Sequence, residues 1–395
     1  MRRSDMCSEE SFVRSEDKTM EKLRPGVHFS PKYGWINDPN GLVFYKGRYH
    51  IFYQHNPNGL VWDSMHWGHA VSSDLMNWEE LPIALYPDEM GDIYSGSCIY
   101  DADNISGFGE KCQPPLLAFY TSHHPETKRE QQCLAYSPDG ETFVKYEGNP
   151  IIEGYDHTPA RDPHVFANTV LGGFSMCITR EDRVEFYHSK DLLEWHKTGD
   201  YFLPAYAFQG MIECPCMVFL KVEGGSGTKA ALLMSMDIPA SEYDKFPEGV
   251  RPHSRLMQYF VGEFDGNTFQ EDNPVNRPLL VDHGQDFYAG TVFANCEDTI
   301  LMAWLGNSEE SMKIPTEAEG FRGVLSFPRK LSLTKQGDEY HLKHAFIKTD
   351  FKEYKDVTFT EDEEGIWLTD HCVSEFISKD GLRALTNYNE KGTEK

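Results

Sequence analysis

No stretch of this 395-residue chain approaches the roughly 18 consecutive apolar residues that cross a bilayer, so a membrane-spanning helix is excluded. Positive charge is scarce. Lys and Arg number 37 against 63 Asp and Glu, a formal net charge of −26. Such a chain repels nucleic acid and anionic membrane, and neither is expected as a partner. CxxC pairs are missing. The nine cysteines are an odd count scattered from Cys7 to Cys372, which reads as reduced thiols in a cytoplasmic protein. Cys214 and Cys216 stand one residue apart, but no further ligands at suitable spacing accompany them, so no metal is expected. Two arginines near the start are followed by no apolar run, so residues 1–22 read as a solvated, disordered leader rather than a secretory signal. Long helical periodicity is also lacking.

What is present is strand. GLVFYKGRYHIFYQH (41–55), LLAFYTS (116–122), RVEFYHS (183–189), ALLMSMD (231–237), MQYFVGEF (257–264) and TILMAWL (299–305) are rich in aromatic and β-branched residues and are bounded by Gly, Pro, Asn and Asp. A short pattern recurs among them: SSDLMNW (72–78), SPDGETF (137–143), SKDLLEW (189–195) and EFDGNTF (263–269). Each follows a strand, turns on an Asp and closes on an aromatic. The closing residues Trp78, Phe143, Trp195 and Phe269 recur every 50 to 75 residues or so, room for the four strands of a propeller blade. Asp-Gly turns are common in hairpins generally, but the spacing predicts an all-β, five-bladed β-propeller over residues 23–334, with its first and last blades stitched together. From 335 to 395 the texture becomes strongly charged, and a small C-terminal β module is expected there.

Three acids stand in unusual settings. Asp38 lies in NDPNG, Asp162 in ARDPH and Glu213 in IECPC, each with a proline directly after it or two residues on. Proline fixes φ and donates no hydrogen bond, and it pushes the residue before it towards extended backbone. These acids are therefore predicted at strand starts or bends. Taken singly, each reads as a turn acid bonded to backbone amides. Together, one per blade and each ahead of an apolar inner strand, they are predicted to converge on the propeller axis. Two converged carboxylates can carry retaining glycoside hydrolysis, and crowding keeps one of them protonated. Trp35, Trp62, Trp67, Trp304, Asn37, Gln54 and Ser97 lie beside strand ends, where a sugar would meet flat rings and hydrogen-bonding groups.

WINDPNG (35–41), FYQHNP (52–57), MHWGHAVSSDLMNW (65–78), YSGS (94–97), ARDP (160–163), EC (213–214) and FRGVLSFPRKLSL (321–333), in this order, resemble glycoside hydrolase family 32, the invertases, sucrose-6-phosphate hydrolases and fructan hydrolases. The resemblance covers residues 27 to about 335. It implies a five-bladed propeller with an axial pocket and retaining hydrolysis of terminal β-fructofuranosides, without a cofactor. Asp38 would be the nucleophile, Glu213 the acid/base, and Asp162, beside Arg161, the group that holds fructose hydroxyls and stabilises the transition state. Asn37, Gln54, Trp62 and Ser97 would contact the fructosyl unit, as would Asp286, Tyr288 and Trp304. Sucrose, sucrose 6-phosphate and short fructo-oligosaccharides are the substrates implied first. An exo-inulinase or levanase and a non-catalytic fructan-binding protein are the alternatives. A phosphate would need basic residues at the rim, where His66, His69 and Arg251 are candidates. The family usually has Trp-Arg-Gly where this chain has Phe321, Arg322 and Gly323, and it carries a longer β-sandwich after the propeller. The module here looks internally shortened, which leaves monomer and homodimer both open.

Overall fold

Five antiparallel sheets form a ring. The computed structural model describes residues 22–388, apart from 111–112, 226, 348–353 and 355, so all but the last residue of the expected leader lies outside the described residues. Blade one runs outward from the axis through Gly34–Tyr45, Arg48–Asn56, His66–Ser72 and Glu79–Leu85. Blade two is Asp92–Tyr100, Leu116–His123, Glu130–Ser137 and Val144–Lys145. Blade three is Arg161–Ala167, Phe174–Thr179, Arg183–Ser189 and His196–Phe202. Blade four is Met211–Lys221, Thr228–Asp237, Arg255–Phe264 and Phe269–Glu271, and blade five is Tyr288–Val292, Ile300–Leu305, Arg329–Gln336 and Glu339–Phe346. The first strands of successive blades pack against one another around the ring, and that of blade five returns to that of blade one.

The repeated sequence pattern is the turn between the third and fourth strands. In blade one the Ser72 hydroxyl accepts from Leu75 N, while Asp74 Oδ1 accepts from Met76 N and Asn77 N. Ser137 and Asp139 do the same in blade two, and Ser189 and Asp191 in blade three. Asp265 alone caps the shorter turn of blade four. These side chains satisfy amides that a tight turn would otherwise leave unpaired.

Blade five departs from the repeat. Residues 306–328 leave it as an excursion with two 3₁₀ turns, Ser311–Lys313 and Thr316–Glu319. The excursion returns through Phe321–Arg322, which pairs in parallel with Gly34 and Trp35 and closes the ring. Closure removes the exposed sheet edges that an open array would present. Between blades four and five, Val218, Leu220, Leu233, Val261, Leu301 and Leu333 are all buried, each worth about 1.5–3 kcal/mol relative to exposure.

The sequence boundary at 334 falls inside Arg329–Gln336, and pairing carries the fifth sheet on to Phe346. The charged texture that suggested a boundary is the solvent face of the outermost hairpin. Beyond it, Val357–Glu361, Gly365–Asp370, Val373–Ser378 and Ala384–Tyr388 form a separate four-stranded antiparallel sheet. Leu368 and Ile377 of this sheet pack with Val27, Phe327 and Phe346.

Candidate active site

Each of the five inner strands breaks register near one end. The breaks lie between Ile36 and Pro39, Ile93 and Gly96, Glu213 and Cys216, and Tyr288 and Thr291, with the fifth opposite Cys177–Thr179, where Arg161 to His164 pair. A bulge adds a residue on one side of a ladder and re-aims the side chains around it. Prolines 39, 163 and 215, which donate nothing to a ladder, sit in three of them. Asp162, Cys214 and Ala289 take left-handed backbone there, with φ of 62°, 46° and 54°. Strain of this kind costs about 1–3 kcal/mol per residue and collects at functional sites. The expectation of extended backbone before proline fails at Asp162, because the bulge and the hydrogen bonds below over-determine it.

The five bulges line one cavity of about 350 Å³ with Trp35, Asn37, Asp38, Gln54, Trp62, Tyr94, Ser95, Arg161, Asp162, Glu213, Arg255, Tyr288, Trp304 and Met312. Asp38 Oδ2 accepts from the Ser95 hydroxyl at 2.7 Å, and Oδ1 from the Asn37 amide at 3.0 Å. Trp35 Nε1 donates to Asn37 Oδ1 at 2.9 Å and fixes that amide. The Cys214 thiol lies 3.5 Å from Asp38 Oδ2, while Cys216 points to His164 and Thr291 instead. Asp162 Oδ2 accepts from Cys214 N at 2.9 Å, and Asp162 N donates to Thr121 Oγ1 at 3.0 Å. Glu213 is held from two sides, by Arg161 Nη2 at 3.1 Å and the Tyr288 hydroxyl at 2.6 Å. The structure therefore brings Asp38, Asp162 and Glu213 to one pocket, as the sequence predicts.

Burial raises the Asp38 carboxyl above its ordinary range; hydrogen bonds from Ser95 and Asn37 oppose this and the Glu213 charge adds to it. Burial, opposed by Arg161 and reinforced by Glu213 and Asp38, pushes Asp162 up to about 7. Burial and Glu213 raise the Tyr288 phenol, which keeps its proton and donates it. The Asp162 shift has a stability consequence. Folded Asp162 keeps a proton that the unfolded chain releases near pH 4, so its contribution falls as pH rises from about 4 to 7. Asp162→Asn is expected to flatten that slope and to melt several degrees higher than wild type at pH 8, with little difference near pH 4. Thermal unfolding across this range checks it; a variant less stable at pH 8 refutes it.

Asn37, Gln54, Trp62, Arg161, Tyr288 and Trp304 line the cavity as expected. Trp62 is half-exposed at the mouth, edge-on to Tyr94 at 6.0 Å. Gln54 is fixed by donating to Asn40 Oδ1 at 2.8 Å. Two expected contacts are not in the pocket. Ser97 accepts from Val165 N and donates to Pro163 O, stitching blades two and three below the pocket floor. It faces the axis like Ser95, but two residues deeper, roughly 7 Å along the strand. Asp286 is buried and accepts from Ser308 N and Tyr388 N, tying blade five to the last strand of the C-terminal sheet. Trp67 is core, His69 is buried against His50, His66 bonds Ser64 O, and Arg251 pairs with Glu310. Residues missed in the sequence are Tyr94, Ser95, Cys214, Arg255 and Met312. Ser95 was within reach, because YSGS offers two serines of the same parity, but only the bulge selects between them.

A closed ring of five sheets with three carboxylates, two guanidiniums, two phenols and indoles at one end of its axis defines a propeller with a glycosidase-type centre. The chain belongs to glycosyl hydrolase family 32: the model of that family's N-terminal domain matches residues 28–344. It is 40% identical over 318 residues to a levanase of Bacillus subtilis, covering 79% of this chain and 45% of that protein. It is 34% identical over 387 residues to an invertase of Debaryomyces hansenii, covering 94% of this chain and 69% of that protein. Among solved structures, an exo-inulinase from Aspergillus awamori superposes with a TM-score of 0.80 at 26% identity, over 94% of each chain. The chain thus spans about half the length of the levanase that it matches.

Proposed function

We propose that this protein hydrolyses terminal β-D-fructofuranoside bonds with retention, sucrose and short fructo-oligosaccharides being its first substrates. The observation that carries this is the gathering of Asp38, Glu213 and Asp162 in one pocket, with different hydrogen-bond partners on each. Asp38, its oxygens steered by Ser95 and Asn37, attacks the anomeric carbon of fructose. Glu213, between Tyr288 and Arg161, gives its proton to the departing glycosidic oxygen. The fructosyl–Asp38 ester is then opened by water, whose proton returns to Glu213 as the Asp38 carboxylate is regained. Asp162, beside Arg161, binds fructose hydroxyls, and its ionised form favours the cationic transition state. Trp35, Trp62 and Trp304 supply apolar faces for the sugar rings.

The relatives support this reading, being named invertase, levanase and exo-inulinase. The levanase at 40% identity favours exo-acting fructan hydrolysis as the second reading. Arg255, at the pocket wall and 43% exposed, is the rim cation that a sucrose 6-phosphate would meet. The seven described cysteines are all free, which supports the cytoplasmic location expected above, although exo-inulinases named as relatives are extracellular.

Fructose release from sucrose, sucrose 6-phosphate, inulin and levan tests the function and ranks the substrates. Cleavage of sucrose with the β-anomer as first product is expected. Because burial raises Asp38, the acid limb of the rate profile is expected above the ordinary aspartate range near pH 4. Tight sucrose binding without release from any of the four sugars would instead identify a fructan-binding protein.

A further inference from the structure

Behind the pocket, Glu130 on the third strand of blade two is a buried carboxylate outside the pocket lining. It is 6% exposed. Its Oε2 accepts from Ala160 N at 2.8 Å and lies 3.2 Å from Arg161 Nη1, with Oε1 3.4 Å from the same nitrogen. The other end of that guanidinium, Nη2, is the donor to Glu213. One arginine is therefore shared between a carboxylate inside the pocket and one outside it. Blade two clamps the same segment further: Gln132 donates to Ala160 O at 2.7 Å, and Thr121 accepts from Asp162 N. His123 Nδ1 lies 3.3 Å from Glu130 Oε1, and its ring stacks on Tyr94, a pocket residue, at 4.4 Å and 5°.

We propose that Glu130 is a positioning residue for the acid/base: it anchors Arg161, offsets part of its charge, and so sets how strongly the guanidinium holds Glu213. The proposal rests on the fructosidase reading. Around Glu130 stand His123, Arg161 and Tyr94, with Asp92 paired opposite His123. Around Glu213 stand Arg161, Tyr288, Asp38, Asp162 and Cys214, with Arg255 on the pocket wall beside Tyr288. Burial alone would raise Glu130, but His123, Arg161 and the Ala160 amide hold it below the ordinary range, so it is ionised whenever the enzyme works. Asp162, Glu130 and Glu213 in turn keep Arg161 charged despite its burial. Removing the Glu130 charge leaves Arg161 uncompensated on that side. Its pull on the Glu213 carboxylate then strengthens, at the expense of proton delivery to the leaving group.

Glu130→Gln keeps the size and the acceptor for Ala160 N while removing the charge. The alkaline limb of kcat/KM for sucrose is expected to move about one unit towards acid. The loss is then about tenfold on that limb and within about threefold on the acid side of the optimum. Glu130→Asp, which keeps the charge at a longer reach, is expected to restore the limb in part, and it carries the test if the Gln variant does not fold. A purely structural residue would scale the whole profile down without moving the limb. That result, or an unchanged profile, with a bell-shaped wild-type profile, overturns the role of Glu130 and leaves the fructosidase reading standing. Wild-type protein that releases no fructose overturns both.

Discussion

Asp38→Asn is expected to fold, to bind sucrose and to release fructose at least 10⁴-fold more slowly than wild type, roughly the scale on which a covalent nucleophile matters. The amide fits the space of the carboxylate, so the pocket keeps its shape. Asn37 still finds an oxygen to donate to, and the Ser95 hydroxyl, which can turn, accepts from the new amide instead of donating. On the proposed mechanism the charge that attacks the anomeric carbon is lost, and Asp162 does not replace it because Cys214 N and Arg161 hold its carboxylate in place. Single-turnover kinetics and a sucrose titration separate the two effects: kcat collapses while binding stays within a few fold. A variant that cleaves sucrose near the wild-type rate would remove Asp38 from the mechanism. Relief of the burial that raises Asp38 should also make the variant slightly more stable at neutral pH, which guards against a trivial folding defect.

The second large effect lies far from the pocket. Glu375→Gln is expected to destabilise the protein by about 3–5 kcal/mol, the cost of leaving a buried charge without its partner. Glu375 and Arg329 are fully buried. Arg329 donates to Glu375 through Nε at 2.9 Å and Nη2 at 2.5 Å, and to Asp282 through Nη1 at 2.7 Å. Glu375 also accepts from Phe327 N at 2.7 Å and lies 3.1 Å from His28 Nε2. The other imidazole nitrogen of His28 is 2.8 Å from Asp370, which caps the amides of Gly26, Val27 and His28. This network joins three parts of the chain: the segment before blade one, blade five, and the C-terminal sheet.

The pH dependence of the same network has a definite sign. Despite a burial that lowers it, hydrogen bonds and the charges of Asp370 and Glu375 raise His28 to about 9. Its contribution is complete below the unfolded value near 6.5 and is lost as pH rises through about 9. Asp370, lowered to about 2 by His28 and the backbone amides against the opposing effect of burial, contributes above the ordinary aspartate range and is lost as pH falls through about 2. Chemical denaturation of wild type and Glu375→Gln at pH 6 and 9.5 checks both statements. The difference between them should be largest at pH 6, and a loss under about 1 kcal/mol there would show the network to be replaceable.

The strands, the four recurring Asp turns and the three acids were legible in the sequence because each rests on local chemistry. Alternating aromatic and branched residues make strands wherever they lie, and an Asp followed by two amides makes its turn without tertiary help. Asn37, Gln54 and Trp62 were expected through the resemblance to family 32 rather than from local chemistry. What the sequence could not separate were Ser95 from Ser97, or Tyr288 from Asp286, since each pair shares one strand-face parity. Depth along the axis and the position of a bulge decide these, and both depend on neighbouring blades. The end of blade five was misplaced for a similar reason, because a solvent-facing outer hairpin is as charged as a linker.

By itself, then, the sequence determined which elements form and which acids stand ready, through backbone preference and the two-residue period of strands. Only the tertiary structure decided that bulges at one level of five strands aim Asp38, Asp162 and Glu213 into a single cavity. It alone made one arginine answer to both Glu213 and Glu130, and it alone assembled a charge cluster from residues as distant as His28 and Glu375. Such contacts arise from how closed sheets stack around an axis, a geometry that no local stretch of chain encodes.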